Sequence, residues 1–162
     1  MSWHPTADER ALVAAVTDLG AAVAGAGDWI ERERRLPEAL VIELRQAGVF
    51  EMYVPRSIGG GQVHPLTAFA VAEELARHDG SVGWCAQVAA AVTVFLAWID
   101  PAELEAMRRA SGWLHLAGSA RPLGTACEVP GGLRAEGHWD FASGVRHANW
   151  YLATCLVERP DG

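Results

Sequence analysis

Val129-Pro130-Gly131-Gly132-Leu133-Arg134-Ala135-Glu136-Gly137-His138-Trp139-Asp140-Phe141 is where the chain changes its period. Pro130 beside Gly131 and Gly132 suits a tight turn, because proline presets one backbone angle and glycine accepts left-handed ones. The turn separates two extended runs. Leu133 and Ala135, then Trp139 and Phe141, alternate with polar neighbours, and Gly137 is placed for a bulge. Downstream, Tyr151 to Val157 is apolar on both faces, which predicts an interior strand. Roughly four strands are expected from Trp113 onward. Arg159-Pro160-Asp161-Gly162 reads as one more turn.

Upstream of Trp113 the period is helical. Thr6 with Glu9 forms a capping box, and Leu12, Val13, Val16, Leu19 and Val23 follow on one face. A second helix is predicted from Pro37 to Gly48, with Leu40, Val41, Leu44 and Ala47 as its stripe. Pro55 and the Gly59-Gly60-Gly61 triplet make an irregular connection. Pro65 opens a third helix, which His78-Asp79-Gly80-Ser81 breaks. A fourth runs from Val82 to Ile99 and is apolar nearly all round, as in a helix buried among others. Asp100-Pro101 with Glu103 starts a fifth. Helices followed by strands predict an α+β protein. The expected units are a helical domain over 1–112 and the first part of an antiparallel β-domain over 113–162. So few strands leave an open edge and a half-covered core, so the second unit is expected to be unfinished.

Of the 162 residues 51% are hydrophobic and 20% charged, a globular balance. The net charge is −7, and the arginines form no stripe that would track nucleic acid. Arg32, Arg34 and Arg35 alternate with Glu31 and Glu33, as on a solvated helix face. No secretory leader is visible at the start, and the run Ala86 to Ile99 is too short for a bilayer span. Cys85, Cys127 and Cys155 are odd in number and form no Cys-x-x-Cys pair, which suits reduced thiols in a cytoplasm.

Generic catalytic motifs are missing. The Gly59 to Gly61 triplet is followed by Gln62 and Val63, not by the Lys and Ser of a phosphate loop. The histidines show no metal-ligand spacing. No Gly-x-Ser-x-Gly elbow surrounds Ser143, the serine close to His147.

Four linked segments do resemble one family. Ala47-Gly48-Val49-Phe50-Glu51-Met52-Tyr53-Val54-Pro55 with the glycine triplet is similar to an early stretch of acyl-CoA dehydrogenases. Ala72-Glu73-Glu74-Leu75-Ala76-Arg77-His78-Asp79-Gly80-Ser81-Val82-Gly83-Trp84 resembles their helix junction. Gly118-Ser119-Ala120-Arg121-Pro122-Leu123-Gly124-Thr125-Ala126 stands where they carry a flavin-contacting strand and loop. Gly137 to Gly144, continuing through His147-Ala148-Asn149-Trp150, resembles their second flavin-contacting strand. Ser119-Ala120-Arg121-Pro122 and Phe141-Ala142-Ser143-Gly144 depart from the dehydrogenase pattern and look more like the flavin-dependent monooxygenase branch.

That resemblance implies the first part of an oxygenase component. It would take reduced flavin, FMN or FAD, from a separate flavin reductase and hydroxylate an aromatic or polycyclic small molecule through a C4a-hydroperoxyflavin. Such a species persists only in a dry site that holds the flavin N5 proton. Ser143 is then the catalytic candidate, with its hydroxyl near N5, and Phe141 and Ala142 border the ring. Ser119 lies on the substrate side of the flavin, and Gly124 and Thr125 lie near its ribityl or phosphate portion. Trp84, Gln87 and Ala91, with Ser119, wall the substrate pocket. The complete family fold adds a C-terminal helical bundle that carries the base, and assembles as a homotetramer; the chain alone is expected to be inactive. Two alternatives stand beside this: an acyl-CoA dehydrogenase with FAD, and a non-catalytic truncated relative that pairs with a longer one. The residues also admit plainer roles. Ser143 suits an ordinary turn, Trp84 and Phe141 suit core packing, and Gln87 suits a structural hydrogen bond.

Overall fold

In the computed structural model, residues 3–158 are described. Among them the helices come first: α1 (Ala7–Asp18), α2 (Gly20–Gly25), α3 (Gly27–Glu33), α4 (Glu38–Gln46), α5 (Pro65–His78), α6 (Gly80–Thr93) and α7 (Pro101–Ser111). Their ends follow local chemistry. Thr6 Oγ1 accepts from the Glu9 amide at 3.2 Å while a Glu9 oxygen accepts from the Thr6 amide at 2.7 Å, which closes the expected capping box. Asp79 Oδ1 accepts from the amides of Ser81 and Val82, so the predicted break between the third and fourth helices is an N-cap. Asp100 caps α7 in the same way at 2.8 Å, and Gly112 ends it with φ +75°, a left-handed angle that glycine adopts without strain. The helix predicted from Pro37 is α4, with Pro37 as its cap residue and Gly48 beyond its end at φ +86°.

The fourth predicted helix is α6 continued by a 3₁₀ segment, Val94–Trp98. Together they make 19 residues, a longer stretch than the Ala86 to Ile99 run, and long and apolar enough by composition to cross a bilayer. The helix is also not buried all round. Val82, Ala86, Ala89 and Ala90 are in the core, whereas Trp84 is 59% exposed and Trp98 77%. Its uniform apolarity therefore reflects one core face and one open face.

Two cores result. Val16, Leu44, Phe50, Leu75 and Val82 pack among the helices. Val54, Leu96, Leu104, Leu114 and Leu116 form a second cluster in which helical residues meet the first strand. Glu51 ties the same junction, accepting from Arg108 Nη2 at 2.6 Å and from the Leu114 amide at 2.7 Å.

Among the described residues the sheet has three strands, β1 (Leu116–Val129), β2 (Gly132–Gly137) and β3 (Trp150–Glu158), in the order β2-β1-β3. The Pro130-Gly131-Gly132 turn joins β1 and β2 as an antiparallel hairpin, with Val129 opposite Gly132. β3 pairs with β1 in parallel, so the sheet is mixed where an antiparallel one was expected. Three strands replace the four expected, because 138–149 is a loop that crosses from one edge of the sheet to the other. Trp139 and Phe141 lie in that loop rather than in a strand. The double-sided apolarity of Tyr151 to Val157 also misleads, since β3 is an edge strand here and Leu156 is 61% exposed. The turn expected at 159–162 lies outside the described residues.

Candidate flavin-binding site

The crossing loop carries Ser143, and both of its ends are pinned. On the exit side, Asn149 Oδ1 accepts from the His115 amide at 2.9 Å and Asn149 Nδ2 donates to the Trp113 carbonyl at 2.8 Å. The amides of Asn149 and Trp150 both donate to the His115 carbonyl. On the entry side, Trp139 Nε1 donates to the Thr154 carbonyl at 2.8 Å. The turn itself closes through the amides of His147 and Ala148, which donate to the Gly144 carbonyl, with Gly144 at φ +82°. Phe141 holds φ +55°, an angle uncommon for a bulky residue, and its ring is 79% exposed. Arg121 donates to both Asp140 oxygens at 3.0 and 3.1 Å and lies 5.8 Å from the Phe141 ring centroid.

The loop meets the helices at two points. Trp84 Nε1, on α6, donates to Ser143 Oγ at 3.0 Å, which brings together two residues 59 positions apart. This bond occupies the serine oxygen as an acceptor and leaves its O–H free to donate elsewhere. His147 Nε2 accepts from the Leu36 amide at 3.2 Å. His147 in turn stacks 6.1 Å from His115, which lies flat on Phe50 at 3.8 Å. Burial, with His147 nearby, pulls the His115 pKa down to about 3, so this imidazole is neutral at ordinary pH.

Ser119, on β1, is 3% exposed and its carbonyl accepts from Thr154 Oγ1 at 2.8 Å, but its own hydroxyl has no partner. Gln87 Oε1 is likewise buried and unpartnered. An unsatisfied buried hydroxyl or amide is costly, so each marks a place prepared for a ligand or a water. Gly124 is close-packed for a different reason: a Cβ there would stand 2.3 Å from the Trp139 ring. Thr125, next along β1, is exposed, and so is Ala91 on α6. The structure thus brings Trp84 and Ser143 into contact, leaves Ser119 and Gln87 with open polar atoms, and sets Phe141 at the surface.

A cavity of about 320 Å³ opens on the inner side of the loop, with Arg34, Arg35, Cys85, Ser143, Arg146 and His147 in its wall. The arginines come from distant parts of the chain, so no spacing in the sequence announced them. Arg32, Arg34 and Arg35 are exposed, as a solvated face requires, and Arg34 and Arg35 also border this cavity.

Residues 6–99, more than half of the chain, match the model of the acyl-CoA dehydrogenase N-terminal domain. The chain belongs to the acyl-CoA dehydrogenase family. Within the family it is 29% identical over 143 residues to the flavin-dependent monooxygenase oxygenase subunit HsaA of Mycobacterium tuberculosis, covering 88% of this chain and 36% of that protein. It is 32% identical over 130 residues to the oxygenase component of a FADH2-dependent resorcinol hydroxylase of Rhizobium sp., covering 78% of this chain and 31% of the relative. The crystal structure of the M. tuberculosis HsaA monooxygenase superposes with a TM-score of 0.87 at 28% identity, over 94% of this chain and 42% of that one. XiaF from Streptomyces sp., solved with FADH2 and glycerol, superposes with a TM-score of 0.87 at 27% identity, over 95% and 39%. This acyl-CoA dehydrogenase family chain therefore spans about a third of the length of the curated relatives it matches.

Proposed function

We propose that the chain is the N-terminal part of a reduced-flavin-dependent monooxygenase, an oxygenase component that hydroxylates an aromatic or polycyclic small molecule. The observation that carries this reading is the Trp84 Nε1–Ser143 Oγ hydrogen bond. It fixes the Ser143 oxygen against α6, and Ser119 on β1 adds a buried hydroxyl without a partner. A flavin edge presents alternating donors and acceptors, so two free hydroxyls suit it. Bound reduced flavin would supply the electrons that split dioxygen between the hydroxylated product and water.

The chain's own residues do the rest. The second lone pair of Ser143 Oγ would accept the proton at flavin N5, while Phe141 and Ala142 would border the ring. Ser119 meets the flavin on the substrate side, and Gly124 and Thr125 lie near the ribityl or phosphate portion. Trp84, Gln87 and Ala91, on the open face of α6, would wall the substrate pocket once the rest of the protein covers them. A separate reductase delivers the flavin, a cytoplasmic homotetramer completes the site, and the units divide at 112/113. FADH2 in XiaF and in the name of the resorcinol hydroxylase supports FAD as the first form to try.

Anaerobic titration of the chain with reduced FAD and reduced FMN tests the reading. Saturable binding is expected, weakened about tenfold in Ser143→Ala and in Ser119→Ala, the loss of roughly one charge-assisted or buried hydrogen bond each. Binding unchanged in both variants, or binding of an acyl-CoA with no response to flavin, would sink it.

A further inference from the structure

The cavity behind the Ser143 turn has a wall whose polar groups are nearly all donors. Arg34, Arg35 and Arg146 line it beside the hydroxyls of Ser81 and Ser143. Glu31 is the one carboxylate in the wall, and Arg34 engages it at 3.4 Å. Asp79 lies close by, near Cys85, but one of its oxygens is taken by the first amides of α6. Three arginines against one glutamate leave a surplus of two positive charges, in a chain whose net charge is −7.

Neither Arg35 nor Arg146 has a carboxylate partner among the described residues. Arg35 instead lies over the Trp29 ring at 5.5 Å from its centroid. Both arginines also border a second cavity of about 500 Å³, whose wall adds Trp113, Arg45 and Glu38. His147 stands between the two. Its Nε2 accepts from Leu36, which puts the ring proton on Nδ1, facing the Gly144 backbone. Burial and the Arg35 charge lower its pKa, against a smaller opposing pull from Gly144, so this histidine adds no positive charge to the wall.

We propose that this cavity is an oxyanion site, which takes a carboxylate or a phosphate carried by a small ligand between Arg35 and Arg146. Guanidinium groups bind both oxyanions in planar, paired hydrogen bonds. The volume admits a ligand of about one or two rings. Ser81 and Ser143 line the same wall. The site needs no flavin, and so stands apart from the reading of the loop as a flavin contact. Its occupant carries either a carboxylate, as on an aromatic acid, or a phosphate ester, for which FMN is the probe.

Isothermal titration calorimetry at low ionic strength separates these sources. The probe pairs are benzoate against benzamide, and FMN against riboflavin; the variants are Arg35→Gln, Arg146→Gln and their double. Arg109→Gln, on the exposed face of α7, serves as the control, and unfolding midpoints check that each variant folds. The charged member of at least one pair is expected to bind about tenfold tighter, with the difference lost in the double variant and kept in the control. A preference for benzoate identifies a carboxylate ligand, and a preference for FMN a phosphate. Equal affinities within both pairs, or a preference that survives the double variant, overturn the site. Riboflavin binding that persists in that case leaves the flavin reading standing alone.

Discussion

Glu9 is buried and fully engaged, accepting from the amides of Thr6 and His64, each at 2.7 Å, and from Thr67 Oγ1 at 3.0 Å. These bonds, the backbone ones foremost, hold its pKa down to about 2 from 4.5. A lowered carboxylate pKa means that its stabilisation is complete above pH 4.5 and is lost as pH falls towards 2. Glu9→Gln is expected to cost about 2 kcal/mol at neutral pH and progressively less below pH 4.5, read from denaturant unfolding of both proteins across that range. His115 acts in a higher window. Its pKa is lowered from 6.5 to about 3, so the unfolded chain binds a proton that the folded one refuses. Stability should fall as pH drops from 6.5 towards 3, and His115→Phe should flatten that part of the profile. The capping half of Glu9's role was legible as Thr6-x-x-Glu9. Its grip on His64 and Thr67 was not, because a spacing of more than 50 residues carries no local signal.

Among the elements, α5 and α6 approach closely at Gly83, where a Cβ would stand 2.6 Å from Ala76 Cβ and 2.8 Å from the Ala72 carbonyl. Gly83→Ala must push the two helices apart. About 2 kcal/mol of stability is expected to go, measured as a lowered denaturant midpoint with an unchanged slope. The longer helices were readable, since caps and apolar period act within one turn, whereas the short α2 and α3, which carry no side-chain cap, were not told apart from the first helix. Strand assignments were less so. Trp139 and Phe141 mimic alternation, yet Trp139 serves to cover Gly124, a choice made by a strand partner and not by neighbours in the chain. The edge position of β3 was equally invisible, because two apolar faces look the same whether the strand has one neighbour or two. Ser143 and Ser119 came from the family resemblance, whereas the arginine cavity needed the fold.

Across the whole molecule, Glu51 is the joint between helices and sheet. Its carboxylate holds Arg108 of α7 and the Leu114 amide just before β1. Removing it strands a half-buried arginine and an amide together. Glu51→Ala is expected to cost about 2 kcal/mol and lower the unfolding midpoint by about 4–8 °C in a chain of this size. A shift of under a degree by calorimetry would show the joint to be carried by the shared apolar cluster instead. The parallel pairing of β1 with β3 has its own consequence for how the molecule comes together. The β1–β2 hairpin is a local event of microseconds, but β3 cannot dock until 138–149 has passed across the sheet. The segment that bears Ser143 is therefore a strap cut to length. Docking β3 on β1 also brings Ser143 to its place against Trp84.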